Sequence, residues 1–478
     1  MPRTSARPHH NVTFAVLLLG IVAYSLLQSL VVPVLPTLME HLHTDQSTVT
    51  WLMTANLLSA SVATPVLGRI GDKIGKERML AVTLTALAAG SALAGMSHSV
   101  GLMIVARVVQ GFGGAVVPLA FGIIRDEFPA AKVRGAVGAA AAMTAVGAGL
   151  GLVVAGPIVE HFDYHWLFWL PMALTALATV ATHLFVPESP VRTPGRINWG
   201  AAALLSAWLV ALLLAVSEGE RWGWTSGRVL GLFAAAAVLA GCWIRVELRS
   251  DAPLVDMRMM RVPVVWTTNL VGLLLGAAMF TTMTFLPQLV QTPAGVAGYG
   301  FGASVTRSGS YMLPMTAGIF ALGVLAAPLA ARFGSKRVLI GGSVIATAPF
   351  VLLAVGHDRP WQIYTASALV GAGLGLAFSA MSAIVVEAVP PSQTGVASGM
   401  NANIRTIGGA IGSAVAASIL SSGITAAHPF PRDSHYTGTF WFLTVTALLA
   451  AAAACTIPAA RRARGLHAAP APGRVTAG

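Results

Sequence analysis

The sequence predicts an all-α polytopic membrane protein with fourteen membrane-spanning helices. Three observations predict it. Of 478 residues, 56% are hydrophobic and only 10% are charged, whereas a soluble domain carries roughly a quarter charged residues. Stretches of about 20 apolar residues, the length a helix needs to cross the hydrocarbon core, recur along the whole chain. Lys and Arg gather in short clusters between those stretches, as membrane topology places them.

The first eleven residues are short and basic. The apolar run after them ends in "VVPVLPTL" with no small-residue cleavage pattern, so it reads as the first span and not as a removed signal peptide. The spans are expected at 12–36, 49–68, 79–97, 100–122, 135–158, 166–186, 198–217, 227–246, 263–287, 309–331, 337–356, 361–385, 395–420 and 438–458. With an even number of spans, both termini lie on one side. That side, with its alternate loops, holds 22 of the 29 Lys and Arg, including Arg69, Lys73, Lys76, Arg78, Arg125, Lys132, Arg134, Arg332, Lys336 and Arg337. The other side holds five (Arg221, Arg228, Arg307, Arg359 and Arg432), and Arg107 and Arg405 fall inside spans. The bias puts both termini in the cytoplasm.

The chain repeats itself. "GRIGDKIGKERML" aligns with "APLAARFGSKRVL" at an offset of 259, and Gly111 meets Gly371, Glu127 meets Glu387 and Gly135 meets Gly395 at 260. Two six-helix halves follow, 12–186 and 263–458, with inserted helices seven and eight and their cytoplasmic linkers at 187–262. A cytoplasmic tail (1–11) and a disordered Ala/Pro/Arg-rich tail (459–478) complete the expected organisation. Duplicated halves are how many secondary transporters are built, with the substrate site between them near mid-membrane.

Other classes fit poorly. The net charge of +12 is dispersed between apolar runs, so no nucleic-acid partner is expected. Cys242 and Cys455 lie in apolar runs and read as small core residues. Neither a phosphate-binding loop nor a paired metal-ligand motif such as HExxH occurs, so no enzyme and no metal is expected.

Four motifs in order resemble the major facilitator superfamily, specifically its fourteen-helix drug:proton antiporter branch. "GRIGDKIGKER" (68–78) resembles the family's loop between helices two and three, and "RVVQGFGGA" (107–115) its fourth-helix motif. "GAGLGLVVAGP" (147–157) resembles the fifth-helix antiporter motif, and "RTIGGAIG" (405–412) a run in the thirteenth helix of this branch.

The residues suit such a task. Gly68, Gly71 and Gly75 let the backbone turn and helix ends approach, and Asp72, a carboxylate at a helix end, can hold an arginine or a helix N-terminus. The resemblance implies that Gly68, Asp72, Gly75 and Arg78 form a latch between the halves in the outward-facing state. Arg107 is about seven residues into its span, where a cation costs about 2.5 to 3.5 kcal/mol unless it faces a wet cavity or a partner. Gln110 shares its face, and the resemblance implies a coupling role. Arg405, with Asn401 and Asn403 nearby, repeats the argument in the second half, as a coupling residue or as a structural anchor. Gly147, Gly149, Gly151, Gly156 and Pro157 permit tight packing and a bend. The resemblance implies a pliable helix that seals the interface, although Glu160 and His161 stand where the family has Gly-Gly.

The first span offers Gln28 and Ser29 where this branch commonly has an acid, and all 17 acids fall at loops or span ends. Glu160, His161, Asp163 and Glu387 are the candidate proton carriers, while His183 reads as a solvated interfacial histidine. Trp51, Met279, Met283, Phe285 and Met312 are bulky cavity candidates, of a kind that suits varied apolar guests. The expected function is export of small amphipathic compounds by alternating access, in exchange for protons. No cofactor is expected beyond the proton gradient. The partners are a small-molecule substrate, protons and the lipid bilayer, and the chain is taken as a monomer. Without a mid-membrane acid, neutral or anionic amphiphiles are as plausible as cations. Import or exchange of a metabolite, or a transport-inactive sensor, are the alternatives. High Ala, Gly and Arg content points to a bacterial inner membrane.

Overall fold

A computed structural model describes residues 10–44, 46–188, 198–250, 253, 255, 257–390, 393–422 and 430–458. The expected tails, apart from His10 and Asn11, and the linker stretch 189–197 lie outside the described residues. No strand occurs among the described residues. The long helical segments follow the expected spans in order: α1 (His10–Leu30), α2 (Gln46–Ile74), α3 (Lys76–Gly95), α4 (Val100–Glu127), α5 (Ala130–His161), α6 (Trp166–Phe185), α7 (Trp199–Trp222), α8 (Gly227–Arg249), α9 (Pro263–Gln291), α10 (Val305–Phe333), α11 (Ser335–Val355), α12 (Pro360–Ala388), α13 (Thr394–Ser421) and α14 (Asp433–Thr456). Thirteen helices among the described residues are long and apolar enough to cross a membrane. α2 is not one of them, although its 29 residues would extend about 43 Å at 1.5 Å per residue. Seven Ser, Thr and Asn residues between Thr48 and Thr64 dilute its hydropathy.

The helices overrun the spans where charge suggested a loop. α2 continues through Asp72 to Ile74, and α3 begins at Lys76. The connection is the single residue Gly75, at φ 123°, a conformation that a side chain would strain. The same device returns 259 residues on, where Gly334 at φ 88° joins α10 to α11. Packing repeats at that spacing too. Gly113 of α4 lies against Leu87 of α3, and Gly373 of α12 against Ala346 of α11.

The core comes in separate clusters. Two are built mainly from α1–α6, one around Leu17, Leu84 and Ile123 that also takes in Val386 of α12, the other around Leu30, Leu52 and Phe168. A third fills α9–α14, around Leu275, Ile319, Phe350 and Val370. The fourth joins α7 and α8 to α12 and α13, through Leu205, Leu209, Trp243, Val385, Val396 and Met400. The outer surface is apolar, with Val82, Leu177, Val180, Val238, Val355 and Leu448 exposed, as a lipid-facing wall requires. Cys242 and Cys455 lie on that wall and not in the core. A small side chain in an apolar run marks a helix as membrane-embedded but does not say which face it occupies.

Candidate functional site

At the Lys/Arg-rich end of the bundle, Lys76 is buried with its Nζ 2.7 Å from Asp126 Oδ2 and 3.5 Å from Asp72 Oδ1. All three charged side chains are 1% exposed. Gly122 makes room for the lysine stem, since a Cβ there would come within 2.7 Å of Lys76 Cδ. Asp72 lies beyond the expected span 49–68. Burial pushes its carboxyl up to about 6, against the pull of Lys76 and Arg69. Gly68 is buried on α2. Arg78 faces outward and pairs with the exposed Glu188 at 3.2 Å. Of the latch residues expected from the sequence, Asp72 is therefore tied through Lys76 to Asp126 of α4, while Arg78 pairs with Glu188 in the stretch after α6.

At this end of the bundle Arg125, which the sequence offered only as a topology charge, ties the first six helices to the last six. Its Nη1 donates to the carbonyl oxygen of Val386 and, at 2.7 Å, to Thr394 Oγ1; Nη2 donates to Val389 O at 2.8 Å. These acceptors are at the C-terminal end of α12 and the first residue of α13. A guanidinium there satisfies free carbonyls and complements the negative end of the helix dipole. The signal available in sequence was asymmetry: the positions 260 residues on from Arg125 and Asp126 are Val385 and Val386.

Deeper in the bundle the two span-interior arginines part company. Arg107 is fully buried. Its Nε donates to Leu52 O at 2.9 Å, its Nη1 to Gln110 Oε1 at 2.9 Å, and its Nη2 lies 3.9 Å from Met53 Sδ. Gln110 in turn donates to Ser91 Oγ at 3.3 Å, and Asn56 donates to Arg107 O at 3.1 Å. This network pins α2, α3 and α4 together. Arg405 is half-buried, with its guanidinium 4.9 Å from the centre of the Phe378 ring. Tyr24 of α1 lies within electrostatic reach of both guanidinium groups and accepts a hydrogen bond from Gln28 Nε2 at 3.2 Å. Nearby, Asn403 donates across to Ser61 O at 2.8 Å and Asn401 to Asn269 Oδ1 at 2.8 Å.

α5 carries glycines on two faces. Gly147 and Gly151 lie against α1, where a Cβ would come within 2.9 Å of Val22 O and 2.6 Å of Leu26 O respectively. Gly149 and Gly156 lie against α10, with a Cβ 2.5 Å from Thr316 Cβ and 2.7 Å from Thr306 Cα. α10 reciprocates with Gly309 against Val153 and Gly323 against Ala142. Pro157 is exposed near the end of α5, and its carbonyl meets His161 Nδ1 at 3.1 Å.

Of the candidate proton carriers, Glu160 and Asp163 are exposed at the end opposite Asp72, and Glu387 is exposed within electrostatic reach of Arg125. Burial nudges the Asp163 carboxyl up, but hydrogen bonds from the His165 backbone and ring, with the charges of His165 and His41, hold it below its ordinary value. His183 is 82% exposed, 4.0 Å from Glu77. Among the cavity candidates, Met312 is buried in the core of α9–α14. Met279, Met283 and Phe285 are half-buried on α9 against that core, and Trp51 is half-buried on α2.

A bundle of membrane helices in repeated units, with polar groups held inside it, defines the class of integral membrane transporters. A model of the Major Facilitator Superfamily matches residues 17–413 and again 293–475, and the chain belongs to that family. It is 29% identical over 387 residues to the multidrug transporter protein MdtP of Bacillus subtilis, covering 79% of this chain and 69% of that one. It is 27% identical over 438 residues to the tetracenomycin C resistance and export protein of Streptomyces glaucescens, covering 90% and 79%. It spans 58% of the length of the MFS-type transporter Rv1877 of Mycobacterium tuberculosis, at 28% identity over 419 residues. In fold it matches the proton:xylose symporter XylE with a TM-score of 0.67, covering 94% of this chain and 96% of that one, at 14% identity.

Proposed function

We propose that the chain is a secondary-active exporter of small amphipathic compounds, working as a monomer by alternating access in exchange for protons. Its place is a bacterial inner membrane, with both termini and the Asp72 end in the cytoplasm. The observation that carries this reading is the pairing of a closed end with accessible interior surface. Arg125 clamps α12 and α13 at the Lys/Arg-rich end, while Tyr24, Gln28 and Arg405 keep accessible surface inside the bundle. A carrier holding one gate shut by a few hydrogen bonds can exchange it for the other at modest cost. The printed names of the multidrug and tetracenomycin C relatives favour export over import. For protons, Asp72 adds a buried carboxyl near 6 to the exposed Glu160, Asp163 and Glu387.

The test is transport by purified protein in proteoliposomes against a panel of amphipathic compounds, with pH gradients imposed in both directions. The expected result is flux of at least one compound that rises severalfold when the gradient opposes its direction of movement. Flux insensitive to every gradient would remove proton exchange, and flux of none of the panel would remove export.

A further inference from the structure

Inside the bundle, among the described residues, the Arg405 guanidinium neither pairs with an acid nor donates a hydrogen bond; it lies over the face of the Phe378 ring. Arg107, by contrast, has its Nε and Nη1 donating to neutral acceptors and its Nη2 against Met53, with no accessible surface. Arg405 is thus the guanidinium available to a guest. Its stem is held in place: α13 runs so close to α9 that a Cβ at Gly276 would come within 2.9 Å of Arg405 Cγ.

A second donor faces the same region. The Tyr24 hydroxyl already accepts from Gln28, which leaves its own proton to donate, and no described residue receives it. Tyr24 lies within electrostatic reach of Arg405. The wall between the halves therefore presents a fork of N–H donors, a phenolic O–H and an aromatic face, with no carboxylate beside them.

An uncompensated cation inside a membrane protein is costly. A planar guanidinium binds carboxylates and sulfonates through two parallel hydrogen bonds. Phe378 offers a π surface on which an aromatic guest can lie. We infer that Arg405, with Tyr24 and Phe378, forms the receptor for an anionic aromatic substrate, whose carboxylate, sulfonate or phenolate supplies the missing counter-charge. This inference rests on the export reading and narrows it to a substrate class.

Two probes that share one aromatic frame test it. Anilinonaphthalene-8-sulfonate carries the anion; N-phenyl-1-naphthylamine is the same frame without it. Saturable binding of each to the protein in nanodiscs is read by fluorescence, with empty nanodiscs subtracted. The sulfonate should bind about tenfold more tightly than the neutral probe, as one charge-assisted contact implies. Arg405→Gln should bring the two affinities within about threefold of each other, and Arg405→Lys should keep part of the preference. Size-exclusion profiles and the neutral probe's own binding report whether each variant is folded. Equal affinities on the unmodified protein, binding of neither probe, or a preference that survives in folded Arg405→Gln would overturn the inference. Uptake into everted vesicles, the direction that corresponds to export from the cell, is measured separately. Preference for the sulfonate without movement of either probe would leave the receptor standing and end the export reading, whereas export of the neutral probe alone would end the receptor.

Discussion

Arg107 and Arg405 pose the same question in sequence, a guanidinium inside an apolar helix, and the structure answers it twice. Arg107 meets the carbonyl of Leu52 and the amide of Gln110 and becomes part of the framework. The Arg405 guanidinium meets a ring and, among the described residues, no hydrogen-bond acceptor. Cost of burial was legible in both, because it depends on residue type and depth. The remedy was not, because it depends on which groups other helices bring within 3 Å or so. Asp72 shows the same limit. Its place beside basic residues read as a helix-end acid, yet its burial comes from α4 packing over it. That burial has a pH signature. The Asp72 carboxyl titrates near 6 in the folded protein against 3.8 when exposed. The folded state therefore binds a proton that the unfolded chain has released between those values, and stability from this group falls as pH rises from about 4 to about 6. Thermal midpoints of the purified protein should decline across that window relative to Asp72→Asn, and parallel curves would show that the group is not so perturbed.

Elements were predicted more reliably than their ends. The order of long helices follows hydropathy, but α2 and α3 run through the charged stretch that read as a loop, with only Gly75 between them. A glycine at positive φ can reverse the chain in one residue, and composition does not distinguish that from a longer turn. On α5 the glycines were legible as packing positions. Their division into a face toward α1 and a face toward α10 was not, since either neighbour could have filled either groove. The face toward α10 makes a sharp prediction. Gly149→Ala places a methyl against Thr316, which overpacks the contact by an amount typically worth about 1–3 kcal/mol. Transport should drop severalfold at normal expression, and Thr316→Gly in the same chain should restore most of it. Full activity of the single variant would mean that α5 and α10 need not approach so closely.

For the molecule as a whole, the Arg125 clamp binds the first six helices to the last six through a charged group at the Lys/Arg-rich end. Hydrogen bonds from a charged group contribute about 1.5–3 kcal/mol each, so losing them should move the balance between closed and open ends by at least about tenfold. Spin labels just after the Lys/Arg-rich ends of α4 and α12, in protein carrying Arg125→Ala, should show a longer and broader distance distribution than in the parent. An unchanged distribution would assign closure to the apolar contacts alone.

By itself the sequence determined that this chain is a helical membrane protein, roughly where it crosses, which residues repeat and which family its motifs match. Those depend on hydropathy, spacing and charge, all local along the chain. Only the tertiary structure decided that Arg125 spans the two sets of helices, that Arg107 is spent on its neighbours and that Arg405 is not. A buried charge is compensated by whatever lies across from it in space, and α12 reaches Arg125 from more than 250 residues away.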